Sequence, residues 1–350
     1  MKVCHIVWGM SLGGTENMLV DIINEQIKDV EVTLIVVDLG YEKELVARLD
    51  MRTRVHYLNR KPGKKDIVTV LRINWILLSE KADIIHFHTP NLILLAIFKR
   101  FLDAKLCATV HDTHISCRQY SKIERIFAIS PAVQSDILKR YNIVPRLIFN
   151  GIHIDNIPPK STYGKNDSFS IIQISRFDHK KKGQDLLLHA LSKIINTQGL
   201  NNISVTFIGD GPSFDYVVRL SRELRIESKC RFVGSKSREY IYSTLKDYDL
   251  LVQPSYYEGF GLTVIEGLAA KIPVLVSNIE GPSYLIKDGQ FGYLFRCGDI
   301  TDLSLKIVDI ISNYGSPSML QKTIKGYKYV KEQFDVAETA RQYVMEYKNL

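Results

Sequence analysis

The chain has 350 residues, which is long enough for two domains of ordinary size, and its mean hydropathy is near zero. With 45% hydrophobic and 24% charged residues it has the composition of a globular protein, and no uninterrupted apolar stretch reaches the roughly 18 residues that span a bilayer. The net charge of +8 suits an anionic lipid or a phosphorylated ligand. No RNA- or DNA-binding motif accompanies this charge, which argues against a nucleic acid partner.

The N-terminal half alternates short apolar runs with helical patterns. The first run, residues 2–7, leads into a glycine turn rather than into a signal-peptide cleavage site, and a helical pattern follows over residues 15–26. Further strands are predicted at residues 31–38, 83–87, 106–110 and 125–129. Such alternation predicts a parallel sheet that is covered by helices on both faces.

Two segments of this half do not fit that alternation. Residues 92–98 are strongly apolar but end at Lys99 and Arg100, which predicts a buried helix rather than a membrane span. Residues 52–65 form a basic segment without an acid, with Arg52, Arg54, Arg60, Lys61, Lys64 and Lys65. Two interpretations of the basic segment stay open: a solvated face, or a patch for an anionic membrane surface or a lipid-pyrophosphate acceptor.

A polar stretch separates this half from a second one of the same kind. Residues 148–165 contain an Asn-Gly turn and a Pro-Pro pair, which indicates a linker. Beyond it, strands are predicted at 169–174, 204–208, 231–233, 250–253 and 274–277, with helices at 184–195 and 336–350. The pattern predicts two doubly wound domains, in which ligands bind beyond the carboxyl ends of the strands.

The most informative stretch runs from Pro254 to Pro273 and reads PSYYEGFGLTVIEGLAAKIP. Its glycine turn lets backbone approach a ligand, because no Cβ is in the way. The helix that follows offers unpaired N–H groups and a positive dipole end, which suit a phosphate. Glu258 lies in the turn and Glu266 one to two turns into the helix. One acid could hold a sugar hydroxyl and the other a ribose, although a surface loop before an ordinary amphipathic helix is the simpler alternative.

This stretch resembles the signature of retaining glycosyltransferases of the GT-B fold, in family four (group 1), where seven residues separate two glutamates. The resemblance implies an α/β, GT-B architecture of two doubly wound, Rossmann-like parallel-sheet domains that face a cleft. It implies an acceptor-binding domain at 1–155, a linker at 156–165, a nucleotide-sugar domain at 166–328 and a C-terminal helix at 329–350 that returns to the first domain. The sequence departs from the family in NGIHID, where His153 replaces an acid at a position expected to affect hinge geometry.

Cations follow the first strand of the second half, as Ser175-Arg176-Phe177 and then Lys180-Lys181-Lys182-Gly183. A departing nucleoside diphosphate gains negative charge, which fixed cations stabilise. Arginine can bind two oxygens in a fork, whereas lysine acts as a point charge. The resemblance implies that Arg176 and Lys182 hold the diphosphate, with Lys182 chosen because it directly precedes the glycine. Lys180 and Lys181 are interpreted as solvated charges.

Glycines and histidines stand at strand ends of the first half. Gly13 and Gly14 could approach a phosphate or sugar, and the absence of G-x-G-x-x-G spacing argues against nicotinamide binding. The resemblance places this pair facing the donor, and His111 near the donor sugar. A histidine that merely caps loop backbone is the alternative for His111, and His114 is its rival. His86 and His88 could be structural or could line the acceptor pocket.

The resemblance implies one role for each matching residue. The catalytic group comprises Glu258, which holds donor-sugar hydroxyls, together with His111, Arg176 and Lys182. Glu266 holds the ribose hydroxyls. The expected donor-binding residues are Gly13, Gly14, Gly209, Val233, Gly259, Phe260, Gly261, Leu262, Thr263 and Glu266.

The implied function is that of a retaining, metal-independent hexosyltransferase. It moves a sugar from a nucleotide-sugar, with UDP as the commoner nucleotide in the family, to a saccharide or lipid-linked saccharide in cell-surface polysaccharide biosynthesis. Retention is expected through front-face attack, with the leaving phosphate taking the acceptor proton. Two alternatives stay open: a nucleotide-sugar epimerase of the same architecture, and a non-catalytic sugar-binding homologue.

No cofactor and no metal are expected, since no carboxylate or cysteine accompanies the strand-end histidines at ligand spacing. The five cysteines are scattered without a CxxC pattern, which indicates free thiols in a reducing cytosol. The partners implied by the resemblance are the nucleotide-sugar donor and a glycan or lipid-linked glycan acceptor. An anionic membrane is a further partner if the basic segment binds one. The expected location is cytoplasmic, with a peripheral position at the inner face of the membrane as an alternative.

Overall fold

The computed structural model describes residues 1–11, 13–63, 66–116, 119–164 and 168–350. It divides into two units, one of residues 1–153 with 334–350 and the other of residues 154–333. The first domain was predicted to end at 155 and the returning helix to begin at 329, close to the observed limits, but the second domain was predicted to begin at 166 and the second unit begins at 154. Lys64, Lys65, Cys117 and the predicted junction at residues 165 and 166 lie outside the described residues.

The first unit is built on a seven-stranded sheet. Its strands are β1 (Lys2–Val7), β2 (Glu31–Asp38), β3 (Arg54–Arg60), β4 (Ile84–Phe87), β5 (Lys105–Val110), β6 (Arg125–Ala128) and β7 (Arg146–Leu147). Its first helices are α1 (Gly14–Gln26), α2 (Lys43–Val46), α3 (Ile67–Glu80) and α4 (Pro131–Tyr141), with 3-10 turns at Pro90–Leu95, Lys99–Phe101 and Tyr120–Lys122. The strand order is β3-β2-β1-β4-β5-β6-β7, and all pairs are parallel.

The second unit has a six-stranded sheet. Its strands are β8 (Phe169–Ile174), β9 (Ile203–Ile208), β10 (Cys230–Phe232), β11 (Leu250–Gln253), β12 (Val274–Ser277) and β13 (Tyr293–Phe295). Its helices are α5 (His179–Lys182), α6 (Gln184–Gln198), α7 (Phe214–Glu223), α8 (Arg238–Thr244), α9 (Leu262–Ala269), α10 (Glu280–Leu285), α11 (Ile300–Ser312) and α12 (Pro317–Gln333), with 3-10 turns at Ile154–Asn156, Glu227–Lys229 and Leu245–Asp247. The order is β10-β9-β8-β11-β12-β13, again all parallel. The last helix of the chain, α13 (Val336–Lys348), belongs to the first unit.

Both sheets confirm the predicted fold class of two doubly wound α/β units. Their central strands are almost wholly apolar because helices cover both faces. In the second unit, Phe207 of β9, Leu187 of α6 and Ile307 of α11 are buried in the same hydrophobic core. Local signals set the helix ends. Before α4, for example, the Ser130 hydroxyl accepts a hydrogen bond from the Val133 amide at 3.2 Å, and Pro131 takes the first helical position.

The structure corrects one expectation in the first unit and adds a strand that was not predicted. Residues 92–98 do not form a buried helix: a 3-10 turn ends at Leu95, and Leu94, Ile97 and Phe98 are exposed. Much of the basic segment forms the edge strand β3, which was not predicted because its charged residues do not resemble a buried strand. No helix within the described residues is long and apolar enough to cross a bilayer.

Three arginines of the basic segment are held by carboxylates of the same unit. Arg52 pairs with Asp50 at 2.9 Å, Arg54 with Glu80 at 2.8 Å, and Arg60 with Asp38 at 2.7 Å. Arg60 also lies over the ring of Trp8, 4.6 Å from its centroid. Much of the segment's charge is therefore neutralised locally, which favours the interpretation as an ordinary strand and solvated face.

Candidate functional site

The two central strands of the second unit define a candidate site. β8 and β11 pair side by side, and the strand order reverses between them, because β9 and β10 lie on one side and β12 and β13 on the other. The loops that leave such a pair diverge and open a crevice at the carboxyl ends of the strands. Arg176 and Lys182 follow β8, and Glu258 and Gly261 follow β11.

These two loops are in direct contact. Gly183 has φ +65°, and a Cβ at this position would lie 2.0 Å from the carbonyl oxygen of Pro254. Only glycine fits such an approach of one backbone to another. The amide of Tyr256 also donates to the carbonyl of Lys181 at 2.9 Å. The spacing between the two loops is therefore fixed by backbone contacts, and a residue placed just before Gly183 must lie close to the β11 loop.

Lys182 uses this position to reach Glu258. Its Nζ lies 2.6 Å from Oε2 of Glu258, and both side chains are mostly buried. Gln253, at the end of β11, donates from Nε2 to the same carboxylate oxygen at 3.3 Å, and its Oε1 accepts from the Thr263 hydroxyl at 3.1 Å. Gln173, at the end of β8, donates to the carbonyl of Lys182 at 2.9 Å. Two buried glutamines thus hold the cation and the carboxylate in place.

Arg176 is exposed beside this pair. Its backbone carbonyl accepts from Gln184 at 2.9 Å, which fixes the loop. Within the described part of the chain, the guanidinium forms no ion pair or hydrogen bond. The crevice therefore carries one paired cation, Lys182, and one cation whose five donors are available for an anion.

The helix after the glycine turn offers a further positive feature. Gly261 has φ +114° and precedes α9, where Leu262 and Thr263 form the first turn. No side chain caps this helix start and no acid stands in its first turn. The first amides and the dipole of α9 are therefore directed toward whatever occupies the crevice.

The remaining predicted residues of this region support the turn or border it. Phe260 is buried, and Glu266 lies on α9 with 7% of its surface exposed. A Cβ at Gly281, in α10, would lie 2.5 Å from the carbonyl oxygen of Glu258, so α10 packs directly under the turn at Gly259. The close contact with α10 therefore supports the turn.

Gly209 and Val233 lie next to the β8 loop. Gly209 has φ +134°, and a Cβ there would lie 2.0 Å from the carbonyl oxygen of Ser175. Its amide donates to Gly234 at 2.9 Å, and the Val233 amide donates to Phe207 at 3.1 Å. The β9 and β10 ends therefore brace the loop that carries Arg176.

An Asp-x-Asp triplet, Asp247-Tyr248-Asp249, does not belong to this site. Asp249 lies just before β11, at the amino end of the sheet, opposite the crevice. Its carboxylate is bound by Lys160 at 2.8 Å and by the Tyr314 hydroxyl at 2.8 Å. These bonds lower the pKa of Asp249 even though burial alone would raise it. Asp249 therefore belongs to a structural ion pair with Lys160.

In the first unit, Gly13 and Gly14 stand at the start of α1. Gly13 precedes the helix without a side-chain cap, and a Cβ there would lie 2.3 Å from Oε2 of Glu16. The Ser11 hydroxyl donates to the other oxygen of Glu16 at 3.3 Å. Burial raises the pKa of Glu16, although hydrogen bonds from its own amide and from Ser11 oppose this. A carboxylate of the chain itself thus lies at this helix start.

The histidines of the first unit form a buried cluster. Gln26 Oε1 accepts from His5 Nε2 at 2.8 Å, so Nδ1 of a neutral His5 accepts from His88 Nε2 at 2.9 Å. His86 contacts the Tyr347 hydroxyl at 2.5 Å and the Thr109 hydroxyl at 2.8 Å. One ring nitrogen from each of His5, His86 and His88 lies within 4.8 Å of the other two, but the hydrogen bonds above already use both nitrogens of His5 and of His86. The bonds also anchor α13, which carries Tyr347.

His111 extends this cluster and differs from it. Its ring stacks on that of His88 with centroids 5.8 Å apart. Neither of its ring nitrogens, which are buried, has a partner among the described residues. Burial lowers the pKa of His111 to about 4, although Asp112 raises it, so the ring is neutral at pH 7. Its rival His114 is exposed, with its side chain 77% accessible and its backbone at φ +61°.

The structure therefore brings together some of the predicted residues and leaves others in a different unit. Lys182, Glu258, Gly261 and Thr263 share one crevice in the second unit, with Arg176 at its edge. Gly13, Gly14 and His111 belong to the first unit.

Two protein-family models match this chain. The model described as "Glycosyl transferases group 1" matches residues 157–327, and the model described as "Glycosyltransferase Family 4" matches residues 12–156. Together they account for most of both units. The chain is a family 4, group 1 glycosyltransferase.

Curated relatives of this glycosyltransferase are distant. The N-acetyl-alpha-D-glucosaminyl L-malate synthase of Bacillus anthracis is 25% identical over 261 residues, which cover 67% of this chain and 66% of that protein. The poly(ribitol-phosphate) alpha-N-acetylglucosaminyltransferase of Staphylococcus aureus is 28% identical over 55% of this chain and 38% of its own length. The glycosyltransferase thus spans about two thirds or less of the length of these two relatives.

Solved structures show the same fold. Anabaena HepE in complex with UDP and glucose superposes with a TM-score of 0.83 at 21% identity, over 100% of both chains. A glycosyltransferase from Rickettsia africae gives 0.82 at 20% identity, over 99% of this chain and 98% of that one. The predicted GT-B architecture is confirmed.

Sequence reasoning missed three residues that shape the crevice of the second unit, and an acid beside Gly13 in the first unit. Gln173 and Gln253 are polar residues at or near the end of strands that are otherwise apolar, and that position was the available signal. Glu16 follows the Gly-Gly pair and is the first acid of α1. Gly281 has no signal of its own, because its need for glycine arises from the packing of α10 on a loop more than one element away.

Proposed function

We propose that this glycosyltransferase is a retaining enzyme that transfers a sugar from a UDP-sugar to a saccharide or lipid-linked saccharide in cell-surface polysaccharide synthesis. The observation that carries the proposal is the grouping at the carboxyl ends of β8 and β11. There Lys182 lies 2.6 Å from Glu258, Arg176 is without an ion pair among the described residues, and α9 begins without an acid. A diphosphate needs such positive groups, and a sugar needs a carboxylate beside them.

Each charged group has a proposed role. Arg176, Lys182 and the first amides of α9 hold the diphosphate, and Glu258 accepts hydrogen bonds from donor-sugar hydroxyls. Glu266, on the same helix, holds the ribose hydroxyls. These fixed positive charges are proposed to stabilise the leaving group without a metal ion, since they would need no rearrangement as its negative charge develops.

The proposed reaction proceeds on one face of the sugar. The bond from the anomeric carbon to the leaving phosphate oxygen breaks, the acceptor oxygen bonds on that same face, and the phosphate takes the acceptor proton. The transition state resembles an oxocarbenium ion, as in glycoside hydrolysis. The neutral His111 ring is proposed to lie near the anomeric carbon and to offer a ring nitrogen to the donor sugar, which would give those buried nitrogens a partner.

Two known proteins favour UDP and a polymer acceptor. HepE was crystallised with UDP and with glucose, and its fold matches this chain. The S. aureus relative acts on poly(ribitol-phosphate) and shares 28% identity with this chain. Both support the choice of ligands for the first tests.

A panel of UDP- and GDP-sugars tested by thermal shift, with and without magnesium, identifies the donor. We expect one UDP-sugar to raise the unfolding temperature equally with magnesium or with EDTA.

Incubation of the protein with the donor alone then separates a transferase from an epimerase, because an epimerase would convert the sugar without an acceptor. Proton NMR of the product's anomeric signal tests retention, and inversion would refute that part. A protein that binds donors but shows no turnover with any glycan acceptor would be the sugar-binding homologue.

A further inference from the structure

We propose that the first unit docks on an anionic lipid bilayer through an exposed apolar surface. This docking surface consists of one face of α3 and of the segment from Leu94 to Phe101. It is distinct from the crevice at Glu258, and the proposal does not depend on which sugar is transferred.

The outward face of α3 is apolar. Ile67, Val68, Leu71, Trp75 and Leu78 are all exposed, with Trp75 at 70% and Ile67 at 67%. Their spacing places them along one side of the helix. The opposite side, with Ile73 and Leu77, is buried in the unit. A helix on the surface of a globular protein normally exposes polar residues. In contrast, α3 has a second apolar face, which is exposed and indicates contact with another apolar partner.

The segment after the 3-10 turn enlarges this face. Leu94, Ile97, Phe98 and Phe101 are exposed, and Phe101 is 77% accessible. These are four large apolar side chains within eight positions of the sequence. Scattered exposed apolar residues are ordinary, but a contiguous set of this kind indicates a binding surface.

Asn74 joins the two parts. Its amide nitrogen donates to the carbonyl of Leu95 at 2.7 Å, and its amide oxygen accepts from the Phe98 backbone amide at 2.8 Å. Leu71 and Leu78 stand three and four positions from Asn74, which makes them its neighbours on the helix surface. The exposed residues of α3 and those of the segment therefore border each other.

The charge around the docking surface is positive. Arg72 on α3 and Arg100 in the segment are both exposed. Neither pairs with a carboxylate in the described part of the chain, and Arg72 makes only a 3.5 Å contact with the carbonyl of Leu58. No acid occurs in residues 67–79 or 89–102, and the acids at their borders are Asp66, which caps α3, and the exposed Asp103. Apolar residues with tryptophan and arginine, and no acid, match the interface of an anionic bilayer, where each basic residue contributes about 1 kcal/mol.

A second copy of the chain fits this surface poorly. Two such faces would bring the arginines of both copies together, with acids only at the borders of the surface, at Asp66 and Asp103, and like charges at an interface oppose association. Lipid phosphate groups supply the missing negative charge, and acyl chains accept the apolar side chains. A bilayer therefore satisfies both features of the surface.

Vesicle binding tests the proposal directly. We expect the full chain to co-sediment with vesicles of phosphatidylcholine and phosphatidylglycerol, much less with phosphatidylcholine alone, and less as salt is added. The Trp75 emission, isolated in a Trp8→Phe variant, should shift to shorter wavelength on binding. The double variants Trp75→Ser/Phe101→Ser and Arg72→Ala/Arg100→Ala should each weaken binding by about tenfold or more.

Leu305→Ser is the matched control, because Leu305 is an exposed apolar residue of α11 in the second unit, with 56% of its surface accessible. It should bind vesicles like the wild type, and all variants should keep the wild-type unfolding temperature and turnover of a soluble acceptor.

The proposal would be overturned if the wild type did not bind vesicles, or if the double variants bound them as well as the wild type does. Dimerisation in light scattering that the Trp75→Ser/Phe101→Ser variant abolishes would also overturn it, since the surface would then belong to a second copy. Failure of transfer with every donor would leave vesicle binding intact and would count only against the proposed reaction.

Discussion

Lys182 and Glu258 form an ion pair of 2.6 Å although they are 76 positions apart in the sequence. The pair bridges the loops after the two central strands of the second unit, and both side chains are mostly buried. In this arrangement each group neutralises the other at the place where we propose that a sugar diphosphate binds. Binding of the donor would give the lysine a phosphate and the carboxylate a sugar hydroxyl.

Removal of either glutamate of the signature should cost activity. We expect Glu258→Ala and Glu266→Ala each to lower transfer by about tenfold or more, because each loses a strong polar contact to the donor. Steady-state kinetics with the identified donor measures this. The Lys182→Ala variant should lose at least as much, since it also leaves Glu258 without its cation. Near-normal turnover in both glutamate variants would refute the assigned roles.

Arg176 should act mainly on the chemical step. Its guanidinium is unpaired in the described part of the chain, and its proposed partner, the departing diphosphate, gains negative charge as the reaction proceeds. We expect Arg176→Ala to lower kcat by about tenfold or more with a smaller change in KM. Lys180→Ala, at an exposed lysine of the same loop, is the control and should stay near the wild type. An Arg176→Ala variant that changes KM alone would show that the residue binds donor and transition state equally.

Gly183 should be required for the fold of the site. Alanine at this position would carry φ +65° and place its Cβ 2.0 Å from the Pro254 carbonyl oxygen. Gly199, at the other end of α6, has φ +70°, but among the described residues no atom lies within 4 Å of an added Cβ. We expect Gly199→Ala to cost about 1 kcal/mol of unfolding free energy, from the backbone conformation alone. Gly183→Ala should cost more by about 2 kcal/mol and should also lose activity.

Urea unfolding of both variants measures the two costs. Equal losses in the pair would show that the β8 loop relaxes away from Pro254 and that the contact does not fix the spacing. A large loss at Gly183 with unchanged turnover would show that the contact supports the fold but not the site.

The buried histidines should make stability depend on pH. Burial lowers the pKa of His5 and of His111 from 6.5 to about 4, and lowers those of His86 and His88 well below 6.5. The unfolded chain therefore binds more protons than the folded one below pH 6.5, so the free energy of unfolding falls as the pH falls through that value toward 4. Each histidine can remove up to about 1.4 kcal/mol per pH unit. We expect the unfolding temperature to drop by several degrees from about pH 7 to about pH 5.

The exposed His114 supplies the control, since His114→Asn should leave this profile unchanged. A carboxylate such as Glu80 affects the free energy of unfolding in a lower pH range than the histidines do. Burial alone would raise its pKa, but bonds from Lys2, His56 and Arg54 outweigh burial and lower it to about 2, so its contribution is lost only below pH 4.5. An unfolding temperature that stays constant or rises on acidification from neutral pH would contradict buried neutral histidines.

Much of the fold followed from the sequence. Strands such as β2 and β8 are continuous apolar runs, and a buried parallel strand can have hardly any other composition. The strand β3 was missed because it lies at the sheet edge and carries arginines whose carboxylate partners stand at distant positions. The segment at Leu94 was predicted as buried because apolar composition does not reveal whether a partner covers it.

The candidate site was predictable in its residue types and not in its contacts. The glycine turn and its two glutamates are local signals that a short stretch of sequence contains. The pairing of Lys182 with Glu258 depends on β8 and β11 becoming neighbours, which only the topology decides. The same holds for the histidine cluster, which combines His5 from β1, His86 from β4 and His88 from just after β4 with Tyr347 from the last helix.

A crystal structure of the chain soaked with UDP tests the central claim most directly. We expect the diphosphate to lie against Arg176, Lys182 and the first amides of α9, with the ribose at Glu266. Nucleotide bound on the first unit instead, or a crevice left empty at saturating UDP and GDP, would contradict it.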